Sequence, residues 1–143
     1  MNQSSLRILK AVAKNGELSL DDAIALSSRA HNDHRDQYPL AMLIEEEYLG
    51  ITISHEPPVG AEKMREFSLA ITLHMETLRN TADGSVEYRG VRSTGLINAD
   101  WRRVFLKAKG SLYLADRGEK RTERLFTIFI AVLSAFLAAW ITL

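Results

Sequence analysis

The sequence predicts an α+β protein, a small domain of helices and short strands followed by a single C-terminal transmembrane helix. Two observations carry this. Residues 125–143, LFTIFIAVLSAFLAAWITL, hold no charge, proline or glycine, and match the length a helix needs to cross the hydrocarbon core of a bilayer. Upstream, three segments with helical apolar spacing are followed by stretches of strand-like composition. Outside the span the chain is long enough for one domain with its own core and too short for two.

The first helix starts from Ser4 or Ser5, either of which offers a capping oxygen, and carries Leu6, Leu9, Val12 and Ala13 on one side with Ile8 alongside. Gly16 stops it, because glycine accepts the left-handed conformation that ends many helices. Glu17 and Leu18 form a short extended link. Ser19 and Asp22 then make a capping-box-like start for a second helix with Ala23, Ile24 and Leu26, ending near Ser28. Residues 29–36 are polar apart from Ala30 and read as a turn. Asp36 caps a third helix, with Pro39 in its first turn, where a missing amide proton costs nothing. Leu40, Leu43, Ile44 and Tyr48 form its buried stripe, while Glu45, Glu46 and Glu47 meet water. Gly50 closes it, and residues 51–54 alternate as a half-buried strand does.

Pro57 and Pro58 break the chain, and residues 61–79 read as an amphipathic helix with Met64, Phe67, Ile71, Met75 and Leu78 along one side. That stripe packs on the domain's own core or, since its spacing suits a short coiled-coil seam, on a second copy. A polar turn over residues 80–84 leads to two strands, 85–91 and 102–107, separated by a loop over 92–100. A last helix begins near Ala108, with Gly118 as a joint before the span.

A capped helix, a link, a second helix, a turn, a third helix ending in LIEEEYLGIT and a strand resemble the winged-helix variety of the helix-turn-helix domain. The segment FLKAKGSLYLADR, residues 105–117, is similar to the closing strand and helix start of many bacterial winged-helix proteins. The resemblance covers residues 4–54 and 102–117. It implies a winged-helix-like domain over residues 1–117, with helix 61–79 inserted, then a basic joint at 118–124 and the span at 125–143. It also implies DNA binding, with Arg35, Gln37 and Tyr38 at the start of the third helix as base-reading candidates. Arg89, Arg92, Arg102, Arg103, Lys107 and Lys109 would then line a wing against phosphates.

Charge divides the chain. Residues 1–60 hold five Lys/Arg against nine Asp/Glu, whereas residues 61–124 hold thirteen against nine, so the helix-turn-helix half repels a duplex and the wing half attracts one. The same cations suit anionic lipid, the acidic half of a neighbouring subunit, or plain solvation. Arg117, Lys120, Arg121 and Arg124 precede the span and place the N-terminal domain in the cytoplasm, on the inner membrane of the cell, with Trp140 at the far interface. No secretory signal is read at the N-terminus. Ala131, Ser134, Ala135 and Ala138 put small side chains on one side of the span, a face on which copies could associate.

Catalysis is not expected. Cysteine is absent, which excludes disulfides and thiol chemistry. No phosphate loop and no nucleophile elbow occurs, so no cofactor is expected. His31 and His34 with Asp33 and Asp36 have the chemistry of a divalent metal site, but they fall in a turn without further histidines nearby, so no metal is expected. The expected function is a membrane-tethered regulator that binds DNA or a protein partner. The alternative is a small membrane-acting effector, a toxin or defence component whose soluble domain senses a partner and whose spans self-associate. A structural subunit of a larger membrane complex is a third reading.

Overall fold

The first helix, α1 (Gln3–Asn15), is started by Asn2, whose side chain accepts a hydrogen bond from the Ser5 amide at 2.7 Å. It is ended by Gly16 at φ 80, a left-handed value that glycine alone adopts without penalty. In this computed structural model residues 1–27, 29–53, 59–60, 62–78, 85–93 and 102–141 are described, Ser93 and 135–141 as backbone only. Strand β1 (Glu17–Ser19) runs directly into helix α2 (Leu20–Ala25), capped by the Ser19 hydroxyl, which accepts from the Asp22 amide at 3.1 Å. Asp21 and Asp22 in its first turn complement the positive end of the helix.

The polar turn is more ordered than its composition suggests. Residues His34–Gln37 form a 3-10 turn, and its first cap is Asp33, which accepts from the Arg35 amide. Asp36 caps no helix. Its carboxylate instead accepts from the amides of His31 and Asn32, the latter at 2.7 Å, and so closes the loop that precedes the turn. Helix α3 (Tyr38–Glu45) follows with Pro39 in its first turn, and ends before the left-handed Glu47.

Strand β2 (Leu49–Ile51) begins two residues before the predicted one. Gly50 lies inside it rather than at a helix stop, because a Cβ there would overlap the Phe105 ring. Helix α4 (Arg65–Leu78), introduced by a 3-10 turn over Glu62–Met64, is followed by strands β3 (Val86–Tyr88) and β4 (Val91–Ser93), which pair only with each other. Strand β5 (Arg103–Leu106) returns to the main sheet, whose antiparallel order is β1-β5-β2. The two wing strands read from the sequence therefore belong to different sheets. The expected breaks at Pro57 and Pro58 and the turn at 80–84 lie outside the described residues, as do positions 94–100 of the expected 92–100 loop.

One core joins these pieces. Ile8, Leu9 and Val12 of α1, Leu20, Leu40, Leu49 and Val104 are fully buried, and Leu69 and Leu73 of α4 are buried as completely. Each such side chain contributes roughly 1.5–3 kcal/mol by leaving water. Ile71, Met75 and Val86 form a satellite cluster with Phe67 and Tyr88 beside it. Helix α4 thus faces its own domain and packs chiefly on α3 and the 3-10 turn before it. Met64 and Leu78, the ends of the predicted stripe, stay half exposed.

The last helix, α5 (Ala108–Ile141), runs without interruption through Gly118. Met1–Gly110 and Ser111–Leu143 are two units. The transmembrane expectation is corrected here: among the described residues no helix is long and apolar enough to cross a membrane. Within α5 the predicted span is described with its side chains over residues 125–134, and the turns before it are charged. Eighteen residues counted back from Ser134 take in Arg117, Glu119, Lys120, Arg121, Glu123 and Arg124. The single-pass, tail-anchored architecture and the inner-membrane location with a cytoplasmic domain, which rested on that span, fall with it. The side chains of Ala135, Ala138 and Trp140 lie outside the described residues.

Candidate functional site

A reading surface at the start of α3 requires Arg35, Gln37 and Tyr38 to face outward together, and the fold leaves only Arg35 of the three exposed. Gln37 is 5% exposed. Arg35 is exposed but clamped by Asp33, with contacts at 2.8 to 3.0 Å from its amide and guanidinium. That pairing holds the Asp33 carboxyl well below the usual carboxylate range and raises Arg35. Tyr38 is half buried, its ring edge-on to His34 at 5.9 Å. The cause is the packing of α4 and β3 over this turn.

His34 is the centre of that packing. It is 4% exposed, its Nδ1 lies 3.2 Å from the Tyr88 hydroxyl, and its ring meets Phe67 edge-on at 5.2 Å. His74 of α4 also meets the Tyr88 ring, at 4.7 Å between centroids. Burial lowers both histidines, and Arg89 lowers His34 further, while Asp33 and Asp36 work against the shift at His74. His34 is buried whereas His31 is exposed, and among the described residues no group of side chains is arranged to hold a metal ion.

The wing cations meet partners of their own chain. Arg102 is 10% exposed at its side chain and pairs with Glu76 of α4 and, at 3.6 Å, with Asp21. Arg103 approaches Glu17 at 3.8 Å, and Lys107 reaches Glu47 at 3.3 Å. Lys109 donates to the Glu46 carbonyl at 2.7 Å and sits over the Tyr48 ring at 4.5 Å. Arg89 lies over the Tyr88 ring at 5.8 Å, and Arg92 stands opposite Glu87 across the β3–β4 ladder. These six cations do not form one ribbon.

In the second unit, Arg117, Lys120, Arg121 and Arg124 line one side of α5 with Tyr113 and Asp116. Lys120 pairs with Asp116 at 2.8 Å, one turn earlier, which raises Lys120. Ala131 and Ser134 are exposed, and the Ser134 hydroxyl donates to the Ile130 carbonyl at 2.8 Å.

A different surface mixes apolar and charged groups. A groove of about 270 Å³ beside β2 is lined by Ile44, Leu49, Ile51, Ile53 and Phe105. Charges of both signs, among them Glu45, Glu47, Arg65 and Lys107, border it. Arg65 is fixed there by Glu45 at 2.7 Å. In the register Gly50↔Phe105, Phe105 presents its ring outward at 38% exposure. Neither Glu76 nor Tyr88 nor Phe105 carried a local sequence signal for these roles, since their partners lie 26, 54 and 55 positions away in the chain. No protein-family model, curated protein or solved structure matches the chain.

Proposed function

We propose that residues 1–110 are a winged-helix-type module that acts by binding a protein partner, without catalysis and without reading DNA bases through α3. The order helix, strand, two helices, strand and returning strand, with the sheet arranged β1-β5-β2, supports the winged-helix reading. The observation that carries the choice of partner is the burial of Gln37 and His34 beneath α4 and β3. A helix start enclosed by its own domain offers a duplex no base contacts. Cations already matched to Glu76, Asp21, Glu17 and Glu47 release few counterions on meeting phosphate. The groove beside β2, where the Phe105 ring is exposed among charges of both signs, suits a protein contact.

The test has two arms on the full chain. Fluorescence anisotropy with a labelled mixed-sequence duplex at low and raised salt is expected to show no salt-dependent binding. Binding that weakens with salt, and weakens further in an Arg89→Ala, Arg92→Ala double variant, would overturn the protein-partner reading. In the second arm a photo-crosslinking residue at Phe105 is expressed in the native cell. A discrete adduct with one other polypeptide is expected, absent when the residue is moved to exposed Lys10. Failure to form any position-specific adduct counts against the groove.

A further inference from the structure

We propose that the cleft between α2, the His34–Gln37 turn and the end of α4 is a binding site for a cationic N–H donor, an ammonium or guanidinium head on a short apolar stem. The cleft holds about 310 Å³. Ile24 and Leu78 supply apolar wall, and Asp33, Asp36, Gln37, His74 and Thr77 supply polar lining. Gln37 is the decisive member. It is 95% buried by its 5% exposure, it lines the cleft, and its Oε1 has no hydrogen-bond partner. A buried acceptor left unpaired costs a fold stability, and a turn of the Gln37 amide toward the cleft that its residue lines would bring Oε1 to a donor arriving from outside.

The charge balance selects the sign of that donor. Asp33 is neutralised by Arg35. Asp36 receives only the neutral amides of His31 and Asn32, and among the described residues no cation pairs with it. Its carboxylate therefore meets no ion-pair partner among the described residues, and its charge acts at longer range on Arg35 and His74. His74, kept in its uncharged form by burial, adds no repulsion. Thr77 donates its hydroxyl proton to the His74 carbonyl at 2.6 Å, which leaves its oxygen available as an acceptor. Arg29 also borders the cleft, but it is exposed and its long side chain reaches water. The ligand head has two sources, a free small amine or an arginine or lysine side chain of a partner.

The experiment titrates the full chain with agmatine and, separately, with an arginine residue capped at both ends, following side-chain amide and imidazole signals by NMR. Saturable shifts at Gln37 and His74 below about 10 mM are expected from at least one probe. Agmatine alone binding identifies a small-molecule site, and comparable binding of the capped arginine identifies a side-chain socket. Gln37→Met, close in shape, is expected to fold with unchanged or raised Tm and to bind roughly tenfold or more weakly. Gln37→Glu adds a charge opposite to the ligand's and is expected to bind more tightly. The proposal is overturned if neither probe shifts these signals, if Gln37→Met binds as the parent does, or if Gln37→Glu binds more weakly. Should Gln37→Met not fold, the wild-type titration and Gln37→Glu decide it.

Discussion

Arg102 and Glu76 form a buried ion pair, their side chains 10% and 7% exposed, that ties the start of β5 to helix α4. The pair ties the last residue of the segment between β2 and β5 to the helix in that segment's middle, and it gives Arg102 a structural task in place of the phosphate contact its sequence context suggests.

Removing one partner leaves the other charge enclosed. Glu76→Ala is therefore expected to destabilise the domain by about 3–5 kcal/mol, since among the described residues the orphaned guanidinium keeps Asp21 at 3.6 Å as its acidic partner and already has an unpartnered Nε. Chemical denaturation of the full chain measures it. A loss under about 1 kcal/mol would show that the pair is solvated in solution.

The buried histidines make stability depend on pH. His34 and His74 are both lowered from their ordinary value of 6.5 by burial, so the unfolded chain binds more protons than the folded one as acidity rises. Their contribution is complete above the unfolded value and is lost as pH falls below it. Around the pair, Arg89 and Arg35 favour the neutral form of His34, whereas Asp33 and Asp36 favour protonation of one or both rings. Melting temperatures are expected to drop between about pH 7 and pH 5, and His74→Phe to flatten that drop. A Tm independent of pH over that window would contradict the burial of these rings.

Gly50 is required by its neighbour across the ladder, not by its backbone angle. Gly50→Ala is expected to cost about 1–3 kcal/mol because the new methyl occupies the space of the Phe105 ring. Pairing it with Phe105→Ala relieves the overlap, so the double variant is expected to be more stable than the sum of the single losses implies. Strict additivity in the denaturation energies would rule out the contact.

Helix α4 belongs to the interior. Leu73→Ala is expected to destabilise by about 2–5 kcal/mol, with a Tm that does not move with protein concentration. Concentration dependence would instead place this helix in a subunit contact, the other use its apolar spacing allowed.

What the chain discloses before folding is what acts over three or four residues. Ser19 capping α2, Gly16 ending α1 and Pro39 in the first turn of α3 are each set by neighbours in sequence. Asn2, not Ser4 or Ser5, caps α1, since several oxygens in a row leave the choice to the geometry of the first turn. The pairing of β5 with β1 and β2, and of β3 with β4 alone, has no periodic signature because it joins distant segments. The burial of Gln37 was equally hidden: a polar residue at a helix start reads as exposed until α4, some thirty residues on, is laid across it. The uncharged run from Leu125 is legible as composition, but among the described residues no helix is long and apolar enough to cross a membrane.

The chain leaves the main sheet at Thr52 and rejoins it at Arg103, where the Thr52 amide donates to the Arg103 carbonyl at 3.1 Å and the Arg103 amide donates to the Thr52 hydroxyl at 2.8 Å. Such a clasp makes the strand register indifferent to how many residues travel between its two halves. Lengthening or shortening the excursion beyond α4 changes the outline of the protein while its central ladder stays in step, so this is the natural graft point for altering what the domain holds.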